Sequence, residues 1–338
     1  MESIHLYRAI MQSVEPVWVV RTETLEFRLG PLRLGNFHFT AMSLLSNPFL
    51  IDPNLSIPIE DAVAKGSDAV VRYGMPVSPR FPALRVERRS IRYVARYGLR
   101  YIVEFDGSFE DYLQKFSRKS RHELRRTVRK FCGHRLGQGC IAEYRTPTEI
   151  KEFRQMAIQI SQNSYKEQIG WGFDESETFA RQLESDASHD IARGFVLLLG
   201  EKPAAYGFCR AEQDVIVYKH TGYDEQFAQG SPGKVLLYLM LERLFSEGEF
   251  RLLDFDGMER YPYTEFFATR IIDCARVFWF RPTFRNLVVV GCHWVMATTW
   301  RFAARLRRFG RRSTNGWPSV RRLSNVWARV LTRPRRIA

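Results

Sequence analysis

Short apolar runs separated by polar stretches mark the first hundred residues and are typical of mixed strands and loops. Apolar runs at 17–20, 37–42 and 68–73 predict strands, and prolines break up the rest of this region. The run RYIVEF at 100–105 predicts another strand. After a short turn the pattern becomes helical over 109–131, because apolar residues recur about every three or four positions and basic residues fill the other faces.

The stretch from 149 to 257 gives the clearest order of elements. A helical period at 149–162 precedes three apolar runs that are separated by short turns and predict an antiparallel meander. A polar loop, a second helix and a new apolar strand follow. These elements are the strands 195–199, 204–211 and 215–223, the helix 231–246 and the strand 251–257. The predicted order is therefore β-β-β-α-β.

The loop that opens the second helix is a candidate anion site. Ser231 suits the helix N-cap and Pro232 suits the first helical position. Gly230 and Gly233 allow a ligand to approach the backbone, and Lys234 adds a cation. Backbone N–H groups and the positive end of the helix dipole favour a phosphate or pyrophosphate there. The same residues are also typical of an ordinary loop-to-helix junction, and they match neither the ATP-binding nor the dinucleotide-binding glycine motif.

Charge is distributed very unevenly along the chain. The 338 residues carry a formal net charge of +14, and the segment 281–338 holds fourteen arginines with no lysine and no acidic residue. Residues 1–280 are therefore neutral, so a basic pI does not by itself make the body a nucleic-acid binder. The segment 287–300 is apolar and an arginine-rich amphipathic segment follows it. We expect this tail to contact an anionic membrane surface, with nucleic acid or ordinary packing as alternatives.

Cysteine and histidine spacing gives no metal or disulfide signature. The five cysteines contain no CxxC pair, and the seven histidines lack metalloprotease or zinc-finger spacing, so we expect no metal and no disulfide framework. The N-terminus lacks the basic start of a signal peptide, and the stretch 286–300 is too short to span a bilayer. We expect a cytoplasmic, reduced protein that can lie peripherally at the inner face of the membrane.

Three segments together resemble the GNAT acyltransferase superfamily, and within it the FemAB-related acetyltransferases of the CelD/BcsL type. They are FEDYLQKFSRKSRHELRRTVRKF at 109–131, the stretch 222–257 that contains GSPGK, and ERYPYTEFFATR at 259–270. The resemblance implies an α/β (α+β) fold, a GNAT-type mixed sheet with helices on both faces and two GNAT-like lobes. The phosphate loop fits the general superfamily motif only loosely, and Thr264 replaces the lysine of a typical Tyr-Lys pair.

The resemblance also implies that an acyl-coenzyme A, with acetyl-CoA first, is bound between the strands at 215–221 and 251–256. Its pyrophosphate would lie against the loop and helix start, and a backbone N–H near Tyr218 to His220 would polarise the thioester carbonyl. The implied cofactor-binding residues are Tyr218, Gln229, Gly230, Ser231, Gly233, Lys234 and Val235.

Candidate catalytic residues lie at the ends of these strands. Asp256 is the first candidate for the base that removes the acceptor proton, and His220 is the second. Tyr263 is a candidate acid for the departing thiolate. Asp254 shares the alternation of Asp256 and is expected to bind an ammonium substrate. Structural roles, such as turn capping or simple packing, are the alternative for each of these residues.

The basic helix is a candidate site for an anionic substrate. Arg118, Arg121 and Arg125 are expected to contact a nucleotide-linked sugar or a lipid phosphate, although a solvated polar face explains such a charge run equally well.

The sequence therefore predicts an N-acyltransferase, with acetyl the favoured group, acting on an amine or a hydroxyl of a polysaccharide or cell-envelope precursor. The alternatives are FemAB-type aminoacyl transfer from a charged tRNA and a non-catalytic membrane-surface or nucleic-acid-binding protein. The predicted divisions are an N-terminal lobe at 1–108, the basic helix at 109–131, an acyl-CoA-binding lobe at 132–280 and the tail at 281–338. The acceptor, the acyl chain length and the oligomeric state do not follow from the sequence.

Overall fold

One mixed β-sheet runs through the part of the chain that the computed structural model describes, residues 16–313 without 53, 78, 79, 134–139 and 169. The strands are β1 (Trp18–Leu29), β2 (Leu32–Leu44), β3 (Ala69–Pro76), β4 (Leu84–Val86), β5 (Ile91–Glu104), β6 (Ile141–Tyr144), β7 (Ala192–Leu199), β8 (Lys202–Glu212), β9 (Val215–Tyr223), β10 (Leu252–Asp254) and β11 (Arg270–Phe280). The sheet order is β1-β2-β3-β11-β5-β10-β9-β8-β7-β6, and β4 pairs with β5 beside this path.

The helices cover both faces of the sheet, as the sequence predicts. They are α1 (Ile59–Ala64), α2 (Phe109–Leu113), α3 (Arg118–Cys132), α4 (Pro147–Gln162), α5 (Tyr165–Gln168), α6 (Glu177–Ser188), α7 (Pro232–Glu247), α8 (Pro262–Phe267) and α9 (Phe284–Ser313), with a 3-10 turn at Glu225–Gly230. Apolar residues of α2, α3 and α7 fill a core on one face of the sheet. Those of α4 and α6 fill a second core on the opposite face.

The predicted β-β-β-α-β order is confirmed. Strands β7, β8 and β9 form an antiparallel meander, α7 follows, and β10 returns parallel to β9. Helix α7 begins at Pro232, as the sequence predicts, because proline has no N–H and needs no intrahelical acceptor in the first turn. Strand β10 is shorter than the predicted 251–257, since Asp256 and Gly257 both have positive φ values and leave the strand conformation.

The predicted basic helix at 109–131 is two helices. Ser108 and Asp111 form a capping box that starts α2, and the side chain of Ser117 accepts a hydrogen bond from the Ser120 N–H to start α3. A second N-cap, Ser117, nine positions after the first one at Ser108, therefore divides the segment. Leu124, Val128 and Phe131 of α3 pack into the core, while its basic residues remain outside.

The strand β11 places residues of the predicted C-terminal lobe among the N-terminal strands. It pairs antiparallel with both β3 and β5, and β5 in turn pairs with β10. The two halves of the chain thus share one sheet, and the proposed domain boundaries stay a prediction.

Cys132 and Cys140 form a disulfide, with their Cα atoms 5.6 Å apart. The expectation that every cysteine is reduced is wrong at this pair. The two cysteines are eight residues apart, at the end of α3 and just before β6, and this spacing is not one of the motifs that the sequence analysis looked for. Cys209 and Cys274 are buried free thiols, and Cys292 is exposed.

Part of the predicted tail belongs to the folded body. Val290 of α9 is buried in a core cluster with residues of β1, β3, β5 and β11. The described helices include none that is both long enough and apolar enough to cross a membrane. The rest of the tail, 314–338, and the N-terminal 1–15 lie outside the described residues.

Candidate functional site

The sheet opens between β9 and β10. The parallel pairing of these strands ends at Val217 and Asp254, while β9 continues for six more residues along β8. The positive φ of Asp256, 53°, turns the chain away directly after β10. A cleft therefore begins where the two strands separate, as the sequence predicts for the strands at 215–221 and 251–256.

A β-bulge lies at the edge of this cleft. Cys209 of β8 is paired with Tyr218, whereas Phe208 is paired with His220, so the register passes over Lys219. A bulge redirects the local backbone and breaks the regular ladder. Lys219 is in the stretch where a polarising backbone N–H is predicted, between Tyr218 and His220.

A pocket of about 320 Å³ occupies the cleft. Tyr218, Phe255 and Tyr263 reach it from the side of the α7 core, whereas His220 and Tyr206 reach it from the side of the α4 core. The pocket therefore passes between the strands and is lined from both faces of the sheet. Tyr218, His220, Asp256 and Tyr263, all predicted from the sequence, come together in it.

His220 has a mainly aromatic environment. Its ring makes edge contacts with Phe173 and Phe179, with centroids 5.9 and 5.2 Å apart, and lies over Phe208. Burial and the nearby ammonium groups of Lys219 and Lys166 lower the pKa of His220. The imidazole is therefore neutral at pH 7 and able to accept a proton.

Asp256 lies between two cations. Its carboxylate accepts a hydrogen bond from Lys219 Nζ at 2.9 Å and pairs with Arg100 at 3.2 Å. Burial alone would raise the pKa of this carboxyl, but Lys219 and Arg100 together hold the pKa below its usual value. A carboxylate stabilised in this way is a weak base, which favours His220 over Asp256 for proton removal.

Asp254 has no surface open to the pocket. It is fully buried, and its carboxylate accepts hydrogen bonds from Arg100 Nε at 2.9 Å and from Asn47 Nδ2 at 2.8 Å. One of its oxygens also accepts the Asp256 N–H at 3.0 Å. The predicted contact of Asp254 with an ammonium substrate therefore does not fit this position. We reassign Asp254 to holding Arg100 and the Asp256 turn.

Tyr218 and Tyr263, the two pocket tyrosines that the sequence analysis names, keep their protons. Burial raises the pKa of Tyr263 to about 12, and it raises the pKa of the Tyr218 phenol well above its usual value. The Tyr263 ring packs on Phe255 and Tyr261 at the start of α8. Thr264, in place of the family lysine, is buried and donates its hydroxyl to the Tyr261 carbonyl at 2.8 Å, so no cation enters from this position.

The predicted phosphate loop forms the N-terminus of α7, outside the pocket lining. The N–H groups of Lys234 and Val235 both donate to the Ser231 carbonyl, at 3.0 and 3.2 Å, and Pro232 has no N–H. Among the described residues, the Gly233 N–H has no acceptor. Ser231 has the N-cap position with a φ of 54°, but its side chain makes no cap hydrogen bond.

Other residues of this loop are differently placed. Gly230, after Gln229 in the 3-10 turn, packs against Phe131 of α3 so closely that an added Cβ would lie 2.8 Å from the ring. The Val235 side chain is fully buried in the core and cannot contact a ligand. An added Cβ at Gly233 would lie 4.0 Å from Tyr223, which packs on Tyr165 at the pocket rim.

The predicted substrate arginines line a separate groove on α3. Arg118, Arg121 and Arg125 lie there with further basic residues of the same helix. Arg125 pairs with Glu110, and Arg121 donates to Gln114. The groove and the pocket have no lining residue in common. The groove would therefore contact either a part of the substrate away from its reacting group or a second ligand.

The sequence analysis missed the basic residues around the pocket. Lys166 of α5 lines it and donates to the Thr221 carbonyl at 2.6 Å, and burial lowers the pKa of its ammonium. Lys219 has a visible signal, because a charged residue interrupts the apolar run VIVYKHTGY. Arg100 has none, since its partners lie more than 150 residues away. No group of three or more metal-ligating side chains occurs in the described ranges.

The chain is similar to known acyltransferase domains. Residues 118–265, less than half of the chain, match the family model described as "Acetyltransferase (GNAT) domain". This match supports an acyltransferase and includes the whole cleft. A search of curated proteins found no match.

One solved structure, FemX, supports the fold, and two others are similar at lower scores. The crystal structure of FemX has a TM-score of 0.52 at 11% identity and aligns over 80% of this chain and 90% of its own. A conserved protein of unknown function from Bacteroides thetaiotaomicron has a TM-score of 0.47 at 13% identity, over 72% and 79%. L-PGS from Bacillus licheniformis has a TM-score of 0.43 at 14% identity, over 75% and 84%. The FemX-like fold and the GNAT match agree on a GNAT-type architecture, while the CelD/BcsL subgroup stays a prediction.

Proposed function

We propose that the chain transfers an acyl group, with acetyl the favoured one, from coenzyme A to an amine. The opening of the sheet at Val217 and Asp254, with the bulge at Lys219 on its edge, is the observation that carries this proposal. Such an opening can admit a narrow thioester arm between two strands. It also exposes backbone groups that a closed sheet would pair.

The N-terminus of α7 suits the phosphates of the donor. The Gly233 N–H is available there, the helix dipole is positive, and the Lys234 side chain lies near Phe266, 5.8 Å from its ring centroid. The open space above Gly233 allows close approach to the backbone. Tyr223 and Tyr165 connect this end of α7 with the pocket, so phosphate binding and the reacting carbon can belong to one extended ligand.

The reaction needs one proton acceptor and one polarising donor. The acceptor nitrogen attacks the thioester carbon, a C–N bond forms, and the C–S bond breaks. Neutral His220 takes the proton that the nitrogen loses, and the backbone N–H at Lys219 stabilises negative charge on the carbonyl oxygen. The thiolate leaves as the thiol after gaining a proton, for which Tyr263 is the proposed donor.

Donor and acceptor can enter from opposite faces. The α7 side leads to Tyr218 and Tyr263, while the other face leads to His220 and Lys166. Direct transfer needs both substrates at the same carbon, and a pocket lined from both faces permits this. For the acceptor we propose a polysaccharide or cell-envelope precursor, attacking through an amine or alternatively a hydroxyl.

Isothermal calorimetry with acetyl-CoA tests the donor site directly. We expect saturable binding to the full chain and competition by free CoA. A second measurement follows thiol release with amine acceptors, comparing the wild type with His220→Asn. Absence of acetyl-CoA binding in the folded protein would refute the proposal.

Aminoacyl transfer from a charged tRNA is the second candidate. The basic groove on α3 favours it, because several arginines along one helix suit a phosphate backbone. Incorporation of a labelled amino acid that depends on charged tRNA, without acetyl-CoA binding, would establish this alternative. Replacing Arg118 and Arg121 by glutamine should then weaken tRNA binding and lower its salt dependence.

A further inference from the structure

The helix α9 is held against the sheet by one face. His293 contacts the Glu26 carbonyl at 3.1 Å and the Tyr93 hydroxyl, and Val290 is only 1% exposed. Further along α9, the Trp300 ring lies on Gly30, so closely that a Cβ added to Gly30 would be 2.2 Å from the ring. These contacts fix the rotation of α9 about its axis, so its opposite face has a defined direction.

The outer face of α9 carries a stripe of large apolar side chains. Val288, Val295 and Phe302 recur every seven residues, and Phe284 and Leu287 extend the stripe toward the helix start. All five are exposed, with Phe284 at 83% and Phe302 at 64%. A stripe of this kind on a helix whose other face is already packed marks an interaction surface.

The β1–β2 hairpin continues this apolar surface. Its tip presents the exposed side chains of Leu29, Leu32 and Leu34, with Leu32 at 59%. The contact between Gly30 and Trp300 places this tip beside α9, near the end of the stripe. Two elements that are far apart in the sequence therefore present aliphatic residues next to each other.

Among the described residues beside this surface, Arg28 and Arg33 flank the hairpin tip, and Arg285 is exposed at the start of α9. In the sequence, the segment 281–338 contains fourteen arginines and no acidic residue. Glu26 offsets Arg28 through an ion pair at 2.7 Å. Apolar side chains with arginines around them fit an interface between hydrocarbon and anionic headgroups.

We propose that the outer face of α9 and the tip of the β1–β2 hairpin form a docking surface for an anionic lipid bilayer. The apolar residues enter the headgroup boundary, and the arginines contact lipid phosphates. A nucleic acid would use the arginines but not the exposed leucines and valines, so the observations favour the lipid surface. The proposal does not depend on the acyl-transfer proposal, because the surface shares no residue with the pocket.

Vesicle co-sedimentation of the full chain tests this surface. The probes are phosphatidylcholine vesicles with and without about one quarter phosphatidylglycerol. We expect binding to the anionic vesicles only. The helix variant Val288→Gln/Val295→Gln and the hairpin variant Leu32→Gln/Leu34→Gln should each lower the partition coefficient about tenfold or more, with acetyl-CoA affinity and thermal unfolding unchanged.

A matched control replaces two exposed aliphatic residues on other parts of the molecule, Val63→Gln/Leu199→Gln, and should stay within about twofold of the wild type. Wild-type protein that does not sediment with anionic vesicles would overturn the proposal. So would unchanged vesicle binding in both test variants. RNA binding that both test variants weaken, or a dimer that only these variants dissociate, in each case without vesicle binding, would assign the surface to another partner and overturn the lipid proposal.

Discussion

Gly233 offers the sharpest test of the donor site, because its side-chain position is open. An added Cβ has only Tyr223 within 4 Å, at 4.0 Å, and Gly233 is not among the residues with positive φ. A longer side chain can therefore be introduced at the start of α7 without strain. In Gly233→Glu it would bring a carboxylate toward the proposed phosphate position, and Gly233→Gln would bring the same bulk without the charge.

The difference between these variants can be estimated from Coulomb's law. A carboxylate about 6 Å from one phosphate charge costs about 0.7 kcal/mol in bulk water and about 3 kcal/mol at an effective dielectric constant of about 20. The cleft entrance lies between these limits, which corresponds to a loss of affinity between about threefold and about 100-fold. Part of this loss should disappear near 1 M salt, where the Debye length falls to about 3 Å.

Calorimetric titration with acetyl-CoA measures this difference. We expect Gly233→Ala to bind nearly as the wild type, Gly233→Gln to bind somewhat more weakly, and Gly233→Glu to bind weakest with an enhanced response to salt. The unfolding temperatures of all three variants serve as the control for the fold. Equal affinities of the Glu and Gln variants would show that no phosphate lies near this helix start.

Further predictions concern the pocket and the charges behind it. His220→Asn should lower turnover by about 10²–10⁴. Because burial lowers the pKa of His220, kcat/KM of the wild type should fall on the acid side only below about pH 6.5. A fall that begins above that pH would contradict the assignment of His220 as the base. Asp256→Asn should lower turnover less than His220→Asn, and the reverse order would make Asp256 the base. Asp254→Asn should lower the free energy of unfolding by about 3–5 kcal/mol in urea titrations, because the buried Arg100 guanidinium loses the carboxylate charge of Asp254. A loss under about 1 kcal/mol would show that water compensates the charge of Arg100. Lys166→Met should raise the KM of an anionic acceptor more than that of a neutral one, with Lys166→Arg close to the wild type; equal effects on both acceptors would exclude an anion contact.

Local periodicity accounts for the elements that the sequence predicts well. The meander and α7 follow from short apolar runs, turn residues and the Ser-Pro pair, all of which act over a few neighbouring positions. The same reasoning places Tyr218 and His220 on a predicted strand, whereas the opening beside that strand is implied by the family resemblance. It also places Gly233 at a helix start.

The missed features depend on contacts between distant segments. Arg100 reaches Asp254 only because β5 pairs with β10, and no local pattern encodes that pairing. The buried carboxylate of Asp254 likewise depends on Asn47, which lies in the loop after β2, far away in the sequence. From the sequence, the alternation of Asp254 and Asp256 at a strand end predicts two carboxylates open to a ligand. In the complete sheet, Asp254 is buried.

The tail shows the same limit for a helix. Its sequence predicts amphipathic segments, but two faces of α9 carry apolar residues, and only packing on β1 decides which one is covered. The sequence of the tail does not show that the tip of the β1–β2 hairpin lies beside α9. Only the contact between Gly30 and Trp300 shows this.

The opening of the sheet and the charges behind it depend on each other. A left-handed conformation at Asp256 costs on the order of 1 kcal/mol or more, and the bulge at Lys219 gives up regular pairing. The ion pair between Lys219 and Asp256, at 2.9 Å, connects the two irregular positions across the cleft. Arg100 forms a second ion pair with Asp256. Removal of either charge should therefore alter the width of the cleft as well as its electrostatics. This coupling gives Asp256 a structural role in the candidate pocket, which agrees with the lowered pKa of its carboxyl and with the proposal of His220 as the base.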